Sequence, residues 1–402
     1  MDERFQRIAA LDARDVMQTY RRLPVAFTRG RGTRLWDTEG REYIDLVSGL
    51  GVAILGHCHP RVTDAICEQA QKLLHTTNLY YVEPQAQLAD LLVENSFPGR
   101  CFFANSGAEA NEGALKLARK HHFLAGDPRG KVVCLLGSFH GRTLATLSAT
   151  GQPAKGEPFA PTMPGFFHVP LNDVDALRGA VDSNTAAVMV EPVLGEGGVF
   201  PCTAEFLEAA REACDRTGAL LLLDEVQTGL GRTGTLYAYQ QYGVQPDIMT
   251  LAKGLANGVP AATFIAAGEL SEVLTPGDHG TTFGGGFLAC AAALATLGVI
   301  IEERLWERAF ELGVLMKERL EAMVDKLPIA VEVRGLGLML AIELGSDLAR
   351  RAVLGCLERG VIVNDVSPTA VRLLPPLITT EEEAMGGLDV LEQVLEGLQA
   401  EC

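Results

Sequence analysis

Short, almost purely apolar runs alternate with stretches of helical character through the middle of this chain, and this order constrains its fold more than any other feature. Such runs, bounded by polar residues or glycine, are typical of strands buried on both faces. They are residues 101–104, 131–136, 186–190, 220–223, 248–252 and 262–267. Helices are predicted between them at residues 107–122 and 204–217. The pattern predicts an α/β fold in which helices cover a mostly parallel sheet.

The two ends of the chain have a different texture. Residues 1–22 are predicted to form an amphipathic helix, residues 33–46 a hairpin and residues 60–75 a further helix. Towards the other end, long helices over residues 288–326 lead to short strands and a final helix at residues 381–399.

These changes in texture predict the domain organisation. We expect a large domain over residues 56–290 and a smaller α+β domain over residues 291–402. Residues 1–55 are expected to form an N-terminal segment that packs with the small domain.

Charge and cysteine usage argue against several classes of function. The 402 residues include 34 Lys and Arg against 51 Asp and Glu, so the net charge of −17 disfavours a nucleic-acid or anionic-membrane surface. The nine cysteines form no C-x-x-C pair, and His57-Cys58-His59 lacks a second ligand group at a metal-site spacing. The first ten residues lack the apolar core of a signal peptide. We therefore expect a cytoplasmic protein with reduced thiols and no metal.

Polar residues follow five of the predicted strands directly. They are residues 105–107, residues 138–142, Glu191, Asp224 and Lys253. Ligands of open α/β sheets bind beyond the carboxyl ends of the strands. The sequence therefore predicts that these five groups line one pocket.

The first of these groups opens a helix in the segment SGAEANEGALKLARK. Ser106 and Glu109 are spaced as a capping box, and Glu112 and Lys116 as a stabilising i,i+4 pair. Gly107 permits close approach of a ligand, and the free N–H groups of a helix start favour an anion such as phosphate. A well-capped helix without a ligand is the alternative.

Lys253 and Asp224 both follow apolar strands. Burial lowers the pKa of a lysine, and the neutral amine can then attack a carbonyl carbon to form a Schiff base. The alternative for Lys253 is an ordinary surface lysine. Asp224 follows four leucines, so either the chain turns out to solvent there or a positive group meets the carboxylate.

Together, a phosphate site, a Schiff-base lysine and a buried acid match the requirements of pyridoxal 5′-phosphate. The pyridinium nitrogen of this cofactor takes an acidic partner, which strengthens the ring as an electron sink. We expect Asp224 to be that partner. Residues 229–234 match G-x-G-x-x-G, but they do not directly follow a strand or open a helix, so we predict no dinucleotide site there.

The chain resembles the class III pyridoxal-phosphate-dependent aminotransferases over almost its whole length. The motifs that carry the resemblance are LGHCHP, SGAEANEGALKLARK, FHGRT, EPVLGEGG, LLLDEVQTGLGRTG, TLAKGL and GTTFGGG. The resemblance implies the fold type I architecture of pyridoxal-phosphate transferases. It also implies a homodimer whose active sites lie at the subunit interface.

The resemblance further implies roles for individual residues. Lys253 would hold the cofactor and shuttle the proton, Phe139 would stack on the pyridine ring and Gln227 would contact the ring hydroxyl. The full set implied for the cofactor is Ser106, Gly107, Ala108, Phe139, Asp224, Val226, Gln227, Lys253 and Thr282, of which Thr282 would be donated by the partner subunit.

Substrate residues follow from the same resemblance. Arg142 looks like the clamp for a distal carboxylate, Arg372 like the clamp for the α-carboxylate of glutamate, and Glu196 like the group that neutralises Arg372 when no α-carboxylate is present. Tyr20 and Thr281 would also lie near the substrate. For Arg372, a purely structural salt bridge is an alternative.

The reaction implied is transfer of the δ-amino group of N2-acetyl-L-ornithine to 2-oxoglutarate in arginine biosynthesis. It would give N-acetyl-L-glutamate 5-semialdehyde and L-glutamate. Alternative donors are succinylornithine, N-succinyl-diaminopimelate, ornithine and 4-aminobutyrate. A pyridoxal-phosphate-dependent decarboxylase or mutase could share the fold.

The sequence departs from the family pattern at four places. Leu194 replaces the usual Gln, Ala53 the usual Asn, and Gly286-Phe287 the usual Asn-Pro at a helix start. Leu50 replaces the Tyr of ornithine aminotransferases, which favours an acylated donor. These changes bear on substrate preference and leave the predicted cofactor residues intact.

Overall fold

The structure is a computed structural model that describes residues 2–401. Its strands are numbered along the chain. They are β1 Phe27–Arg31, β2 Arg34–Asp37, β3 Glu42–Asp45, β4 Gly99–Ala104, β5 Lys131–Leu135, β6 Phe166–Val169, β7 Thr185–Val190, β8 Val193–Leu194, β9 Phe200–Pro201, β10 Leu220–Asp224, β11 Ile248–Leu251, β12 Ala262–Ala267, β13 Ala330–Leu336, β14 Met339–Leu344, β15 Val361–Ile362, β16 Asn364–Asp365 and β17 Ala370–Leu373.

The α-helices are numbered in the same way, and short 3-10 helices cover Glu157–Phe159, Lys253–Ala256 and Gly268–Glu272. The α-helices are α1 Glu3–Asp15, α2 Ser48–Gly51, α3 Pro60–Lys72, α4 Glu83–Glu94, α5 Gly107–Leu124, α6 Leu144–Ala149, α7 Pro153–Gly156, α8 Val174–Ala180, α9 Ala204–Thr217, α10 Tyr239–Tyr242, α11 Phe287–Glu302, α12 Leu305–Lys326, α13 Ala349–Glu358 and α14 Glu381–Ala400.

The large sheet has the order β4-β12-β11-β10-β7-β5-β6. Its strands all run in one direction except β12, which is antiparallel to both of its neighbours. The α/β prediction and the six predicted strands are confirmed. The sequence analysis missed β6, a four-residue edge strand that is only partly buried and therefore lacks a continuous apolar run.

Alternate side chains of β10 pack on opposite faces of this sheet. Leu220 and Leu222 belong to a buried cluster with Leu115 of α5, whereas Leu221 and Leu223 pack in the cluster that contains α9. Because both faces are covered, every residue of this strand is buried. The four consecutive leucines thus reflect a strand between two helical layers.

The N-terminal part joins the C-terminal part through a second sheet of order β1-β2-β3-β15. The predicted hairpin is present as β2 and β3, and β3 pairs in parallel with β15. The helix predicted over residues 1–22 is too long, because α1 ends at Asp15 and Val16 is extended. No residue of α1 is buried, so no packing supports its continuation.

The C-terminal part contains a third sheet of order β13-β14-β17-β16, in which neighbouring strands are antiparallel. Helices α12, α13 and α14 pack on and around it. The predicted domain limits, residues 1–55, 56–290 and 291–402, stay predictions. Across residues 2–401, no helix is long and apolar enough to cross a membrane.

Candidate active site

A cavity of about 450 Å³ opens where β4, β5, β7, β10 and β11 end. Its wall contains each of the five groups that the sequence analysis expected to meet. Of the predicted site residues, Ser106, Gly107, Ala108, Phe139, Arg142, Glu196, Asp224, Val226, Gln227 and Lys253 line it. His140 and Glu191 also line it, as expected of their groups, and so does Asn111, which was not predicted there.

Asp224 is buried at the end of β10, and two side chains already contact one of its oxygens. Its Oδ2 accepts hydrogen bonds from Asn111 Nδ2 and His140 Nδ1, each at 2.8 Å, and its Oδ1 accepts one from Val226 N at 3.1 Å. Burial lowers the pKa of His140, but the hydrogen bond and charge of Asp224 outweigh burial and raise that pKa overall. The chain itself therefore supplies a partner for the carboxylate.

Sequence reasoning missed Asn111 and His140 as partners of Asp224. Asn111 stands four residues after Gly107, one helical turn along the same face, and His140 lies within the FHGRT motif. These two positions are the features of the sequence from which the contacts with Asp224 could have been inferred. The neighbouring Glu225 faces away and accepts hydrogen bonds from the N–H groups of Ala238 and Tyr239 at 2.6 and 2.8 Å.

Lys253 lines the same cavity. It forms no hydrogen bond or ion pair through its side chain with any other residue of the described chain. Burial, which outweighs the opposing charge of Glu196, lowers the pKa of its amine. Its backbone has a φ of 35°, a left-handed value that is rare for a side chain of this size. An ordinary surface lysine does not match this environment.

The start of α5 forms a second wall. Ser106 Oγ accepts a hydrogen bond from Glu109 N at 3.3 Å, as predicted. The other half of the predicted capping box is wrong, because Glu109 Oε2 accepts from the backbone N–H of Asn105 at 2.6 Å. The amides of Gly107 and Ala108 have no acceptor within residues 2–401. They are the first two amides of an 18-residue helix, whose positive end favours an anion.

The predicted Glu112–Lys116 pair is also wrong. Glu112 Oε1 accepts hydrogen bonds from Thr143 Oγ1 at 2.6 Å and Ala145 N at 3.2 Å, which ties α5 to the start of α6. Lys116 Nζ donates to Asp278 O at 3.1 Å. Contacts with these other segments outcompete a local ion pair worth only about 0.2–0.5 kcal/mol.

Gly107 leaves no room for a larger residue. A Cβ atom there would lie 2.9 Å from Cγ1 of Val226. Two buried polar atoms in the cavity wall, His140 Nε2 and Asn111 Oδ1, have no hydrogen-bond partner within the described chain. Free amides for an anion, an unpaired amine and a buried carboxylate are the groups that pyridoxal phosphate requires, so the residues present fit that cofactor.

Phe139 and Arg142 lie on the loop after β5. The Arg142 guanidinium carbon is 5.5 Å from the centre of the Phe139 ring, and Arg142 is exposed, with no ion-pair partner among residues 2–401. Glu191 holds this loop, because its Oε1 accepts from Phe139 N at 2.7 Å and its Oε2 from Gly195 N at 3.2 Å. Burial raises the pKa of Glu191 to about 7.

Arg372 and Glu196 meet as the resemblance implied, with Nη1 of Arg372 2.7 Å from Oε1 of Glu196. Arg372 does not line the cavity itself and its side chain is only 1% exposed, whereas that of Glu196 is 29% exposed. Burial raises the pKa of Glu196, but the charges of Arg372 and Lys253 lower it overall. Glu196 therefore stands between the cavity and a buried guanidinium.

Besides Arg372, three predicted residues lie outside this cavity. Tyr20 is exposed, and Thr282 lines a small recess with His75. Thr281 Oγ1 accepts a hydrogen bond from Asn105 Nδ2 at 3.3 Å, beside the start of α5. The structure holds one chain, so the assignment of Thr282 to the site of a partner subunit stays a prediction.

None of the residues that depart from the family pattern lines the cavity. Leu194 is buried and Leu50 is partly exposed with a φ of 65°, and neither lines the cavity. Gly286 is the N-cap of α11 and offers no side-chain acceptor, so this helix start lacks the hydrogen bond that an Asn side chain provides.

Comparisons with known proteins identify the family of the chain. A family described as aminotransferase class-III matches residues 16–395. The acetylornithine aminotransferase of Caldanaerobacter subterraneus subsp. tengcongensis is 48% identical over 94% of this chain and 97% of its own. That of Methanocaldococcus jannaschii is 46% identical over 94% of this chain and 95% of its own.

Solved structures that are similar to this chain are also aminotransferases. The ornithine aminotransferase from Toxoplasma gondii has a TM-score of 0.95 at 36% identity, covering 99% of this chain and 96% of its own. The acetylornithine aminotransferase from Elizabethkingia anophelis has a TM-score of 0.88 at 33% identity, covering 98% and 99%. The resemblance inferred from the motifs is confirmed, and the chain belongs to the class-III aminotransferase family.

Proposed function

We propose that this aminotransferase uses pyridoxal 5′-phosphate to move the δ-amino group of N2-acetyl-L-ornithine to 2-oxoglutarate. The products are N-acetyl-L-glutamate 5-semialdehyde and L-glutamate. The observation that carries the proposal is the meeting of an unpaired lysine, a buried carboxylate and the free amides of a helix start in one cavity. The names of the sequence relatives support the choice of donor.

The residues of this cavity would hold the cofactor by its two ends. The amides of Gly107 and Ala108 bind its phosphate, and Asp224 pairs with its ring nitrogen. Asn111 and His140 hold Asp224 in place. When bound, pyridoxal phosphate supplies an electron sink that stabilises negative charge on the carbon carrying the transferred amine. A solved ornithine aminotransferase from Toxoplasma gondii is described with partial occupancy of this cofactor.

Further residues line the space beside the ring. Phe139, Val226 and Gln227 line the cavity, where Phe139 would stack on the ring and Gln227 would contact its hydroxyl. Ser106 caps the helix whose start forms the phosphate site. These contacts orient the cofactor and exclude water from it.

Lys253 serves both binding and proton transfer. Because burial lowers the pKa of its amine, the neutral and nucleophilic form of Nζ is more accessible than in a solvent-exposed lysine. The same atom can take a proton from the carbon that bears the transferred amine and return it later. A carboxylate paired with Nζ would hold it protonated, and Lys253 has no such ion pair within residues 2–401.

Two arginines bind the carboxylates of the substrates and thereby determine which substrates the site accepts. Arg142, exposed at the cavity, binds the carboxylate that lies far from the reacting amine. Arg372 stays paired with Glu196 when an ω-amine donor is bound. It meets the α-carboxylate when glutamate is bound. Since Glu196 is the more exposed partner, its side chain has the room to move away.

The proposal includes a cytoplasmic homodimer with shared sites. Leu79 and Phe283 are large, exposed apolar side chains, and Asn78 Nδ2 joins their two segments by a 3.0 Å hydrogen bond to Gly284 O. Exposed apolar patches mark protein interfaces. Thr282 lies next to Phe283, where a partner subunit would carry it to the other site. Light scattering should give twice the mass of one chain, and an active monomer would contradict this part of the proposal.

A panel of single amino donors tests the function. The protein loaded with pyridoxal phosphate is mixed with N2-acetylornithine, ornithine, N-succinyl-diaminopimelate, 4-aminobutyrate or glutamate, and the absorbance of the lysine-bound cofactor is followed without an acceptor. We expect fast loss of this absorbance with N2-acetylornithine and glutamate and a slower loss with ornithine. Faster reaction with another ω-amine would overturn the assigned donor while leaving the reaction type intact.

Borohydride reduction followed by mass spectrometry tests the lysine separately. The wild-type protein should retain the cofactor covalently on the peptide that contains Lys253, and Lys253→Ala should not. Retention of the label by Lys253→Ala would refute the role of this residue. Loss of carbon dioxide from the donor, without glutamate formation from 2-oxoglutarate, would instead support a decarboxylase.

A further inference from the structure

The guanidinium of Arg372 is held from two sides, and only one of them is the ion pair with Glu196. Its Nη1 donates to Glu196 Oε1 at 2.7 Å, to Gly195 O at 3.1 Å and to Gln227 Oε1 at 3.3 Å. Its Nη2 donates to Asn364 Oδ1 at 2.8 Å, the one acceptor for this nitrogen in the described chain. The Nε atom is buried without an acceptor there.

Sheet register brings Asn364 to this place. Strand β16 pairs antiparallel with β17, and Asn364 stands directly opposite Arg372. Residues opposite each other in an antiparallel pair point to the same face of the sheet, with Cβ atoms about 5 Å apart. The contact therefore depends on the backbone pairing of β16 with β17 and does not depend on Glu196.

The amide of Asn364 differs from a carboxylate in a way that matters for recognition. It accepts a hydrogen bond from Nη2 but adds no charge, so it does not compete with an incoming substrate carboxylate for the positive charge of Arg372. When Glu196 moves away, Nη1 loses its charged partner while Nη2 stays bound. A guanidinium anchored at one nitrogen keeps the plane that bidentate binding of a carboxylate requires.

We propose that Asn364 is a positioning residue, which sets the orientation of Arg372 for the α-carboxylate of glutamate and the corresponding carboxylate of 2-oxoglutarate. The proposal rests on the proposed function, because it takes Arg372 as the clamp for that carboxylate. Asn364 then acts on the glutamate half-reaction and leaves the ω-amine half-reaction, in which Arg372 stays paired with Glu196, almost untouched.

Three variants test the proposal. Asn364→Ala removes the acceptor, and Asn364→Asp replaces it with a permanent charged partner. Asp365→Asn is the matched control, because Asp365 is the next residue of β16 and pairs with Arg350 at 3.3 Å, with no hydrogen bond to Arg372. Each variant, loaded with pyridoxal phosphate, is measured in both half-reactions by stopped-flow absorbance. Binding of glutarate, a dicarboxylate that has no amine to transfer, is measured by calorimetry.

We expect Asn364→Ala to lower kcat/KM for glutamate about tenfold, chiefly through KM, the effect of losing about 1.4 kcal/mol of binding. The value for N2-acetylornithine should change less than about threefold, a difference below 0.7 kcal/mol. Asn364→Asp should lower the glutamate value further, since its carboxylate competes for Arg372. Asp365→Asn should change neither value. The ratio of the two half-reactions does not depend on the fraction of active protein, so partial unfolding of a variant cannot imitate this result.

Equal losses in both half-reactions for Asn364→Ala, or the same split in Asp365→Asn, would overturn the role of Asn364. The proposed function fails differently. If the wild-type protein prefers another ω-amine, that amine replaces N2-acetylornithine in the ratio and the test of Asn364 stands. If no donor reacts at all, the proposed function falls, and unchanged glutarate affinity in Asn364→Ala would then refute the positioning role as well.

Discussion

Replacing Glu196 with glutamine is expected to change the two half-reactions in opposite directions. Glu196 and Arg372 form one hydrogen bond of 2.7 Å between opposite charges, with the arginine almost fully buried. Under the proposed function, glutamate would have to displace this contact for its α-carboxylate to reach Arg372. An ω-amine donor would instead need the contact to stay, because it would have no α-carboxylate there to neutralise the guanidinium. Glu196→Gln is therefore expected to favour glutamate and to disfavour N2-acetylornithine.

The size of the effect follows from the loss of charge. A hydrogen bond between charged groups contributes about 1.5–3 kcal/mol, and a neutral one about 0.5–1.5 kcal/mol. The substitution should therefore weaken the contact by about 1–1.5 kcal/mol, which corresponds to a gain of roughly five- to tenfold in kcat/KM for glutamate. The donor half-reaction should fall by a similar factor. The ratio of kcat/KM for glutamate to kcat/KM for N2-acetylornithine should then rise by about 25- to 100-fold.

The assay is stopped-flow measurement of each half-reaction in the protein loaded with pyridoxal phosphate. Glu343→Gln is a suitable control, because Glu343 pairs with Arg334 in the third sheet and lies outside the cavity. Changes of the same sign and size in both half-reactions of Glu196→Gln would refute the reasoning. So would an unchanged ratio, because Arg372 would then form a purely structural salt bridge.

Three further predictions concern binding and pH. Arg142→Ala should lower both half-reactions about 10- to 100-fold, since both substrates present a distal carboxylate, and a loss in only one half would contradict this role. Gly107→Ala should weaken pyridoxal-phosphate binding about tenfold, measured by equilibrium titration, because its Cβ would lie only 2.9 Å from Cγ1 of Val226. Gly130→Ala should leave binding unchanged, because no atom lies within 4 Å of its Cβ position. The third concerns His140, whose pKa is raised by Asp224 despite burial. His140→Asn should lower the free energy of unfolding, measured by urea unfolding of the cofactor-free protein. The loss should be largest below the ordinary pKa of 6.5 and should shrink as pH rises through the raised pKa of the folded state. A pH-independent difference would contradict the pairing.

Local patterns in the sequence identified most of the central sheet. The buried strands are continuous apolar runs, and a run of this kind can be recognised without knowing its neighbours. The polar residues that end these runs were expected to meet because parallel strands present their carboxyl ends at one edge. Lys253, Asp224 and the start of α5 do meet there. The edge strand β6 escaped this reasoning because partial burial leaves no continuous apolar run. The true end of α1 escaped it because no residue of this helix is buried, so no packing marks where it stops.

Partners distant in the chain were decided by the tertiary structure. Spacing predicted that Glu112 would pair with Lys116, yet Glu112 binds the start of α6, because a contact formed by packing outweighs a weak local ion pair. The partners of Asp224 come from a helix and a loop 113 and 84 residues away.

The amino-acid sequence by itself determined which residue types stand at the ends of the strands, and hence the reaction family. Which of them touch, and so how Arg372 is held between Glu196 and Asn364, was decided only when separate sheets and loops packed together. The physical reason is that hydrophobic periodicity is a local property of the chain, whereas a buried charge takes whichever partner the folded chain brings within hydrogen-bonding distance.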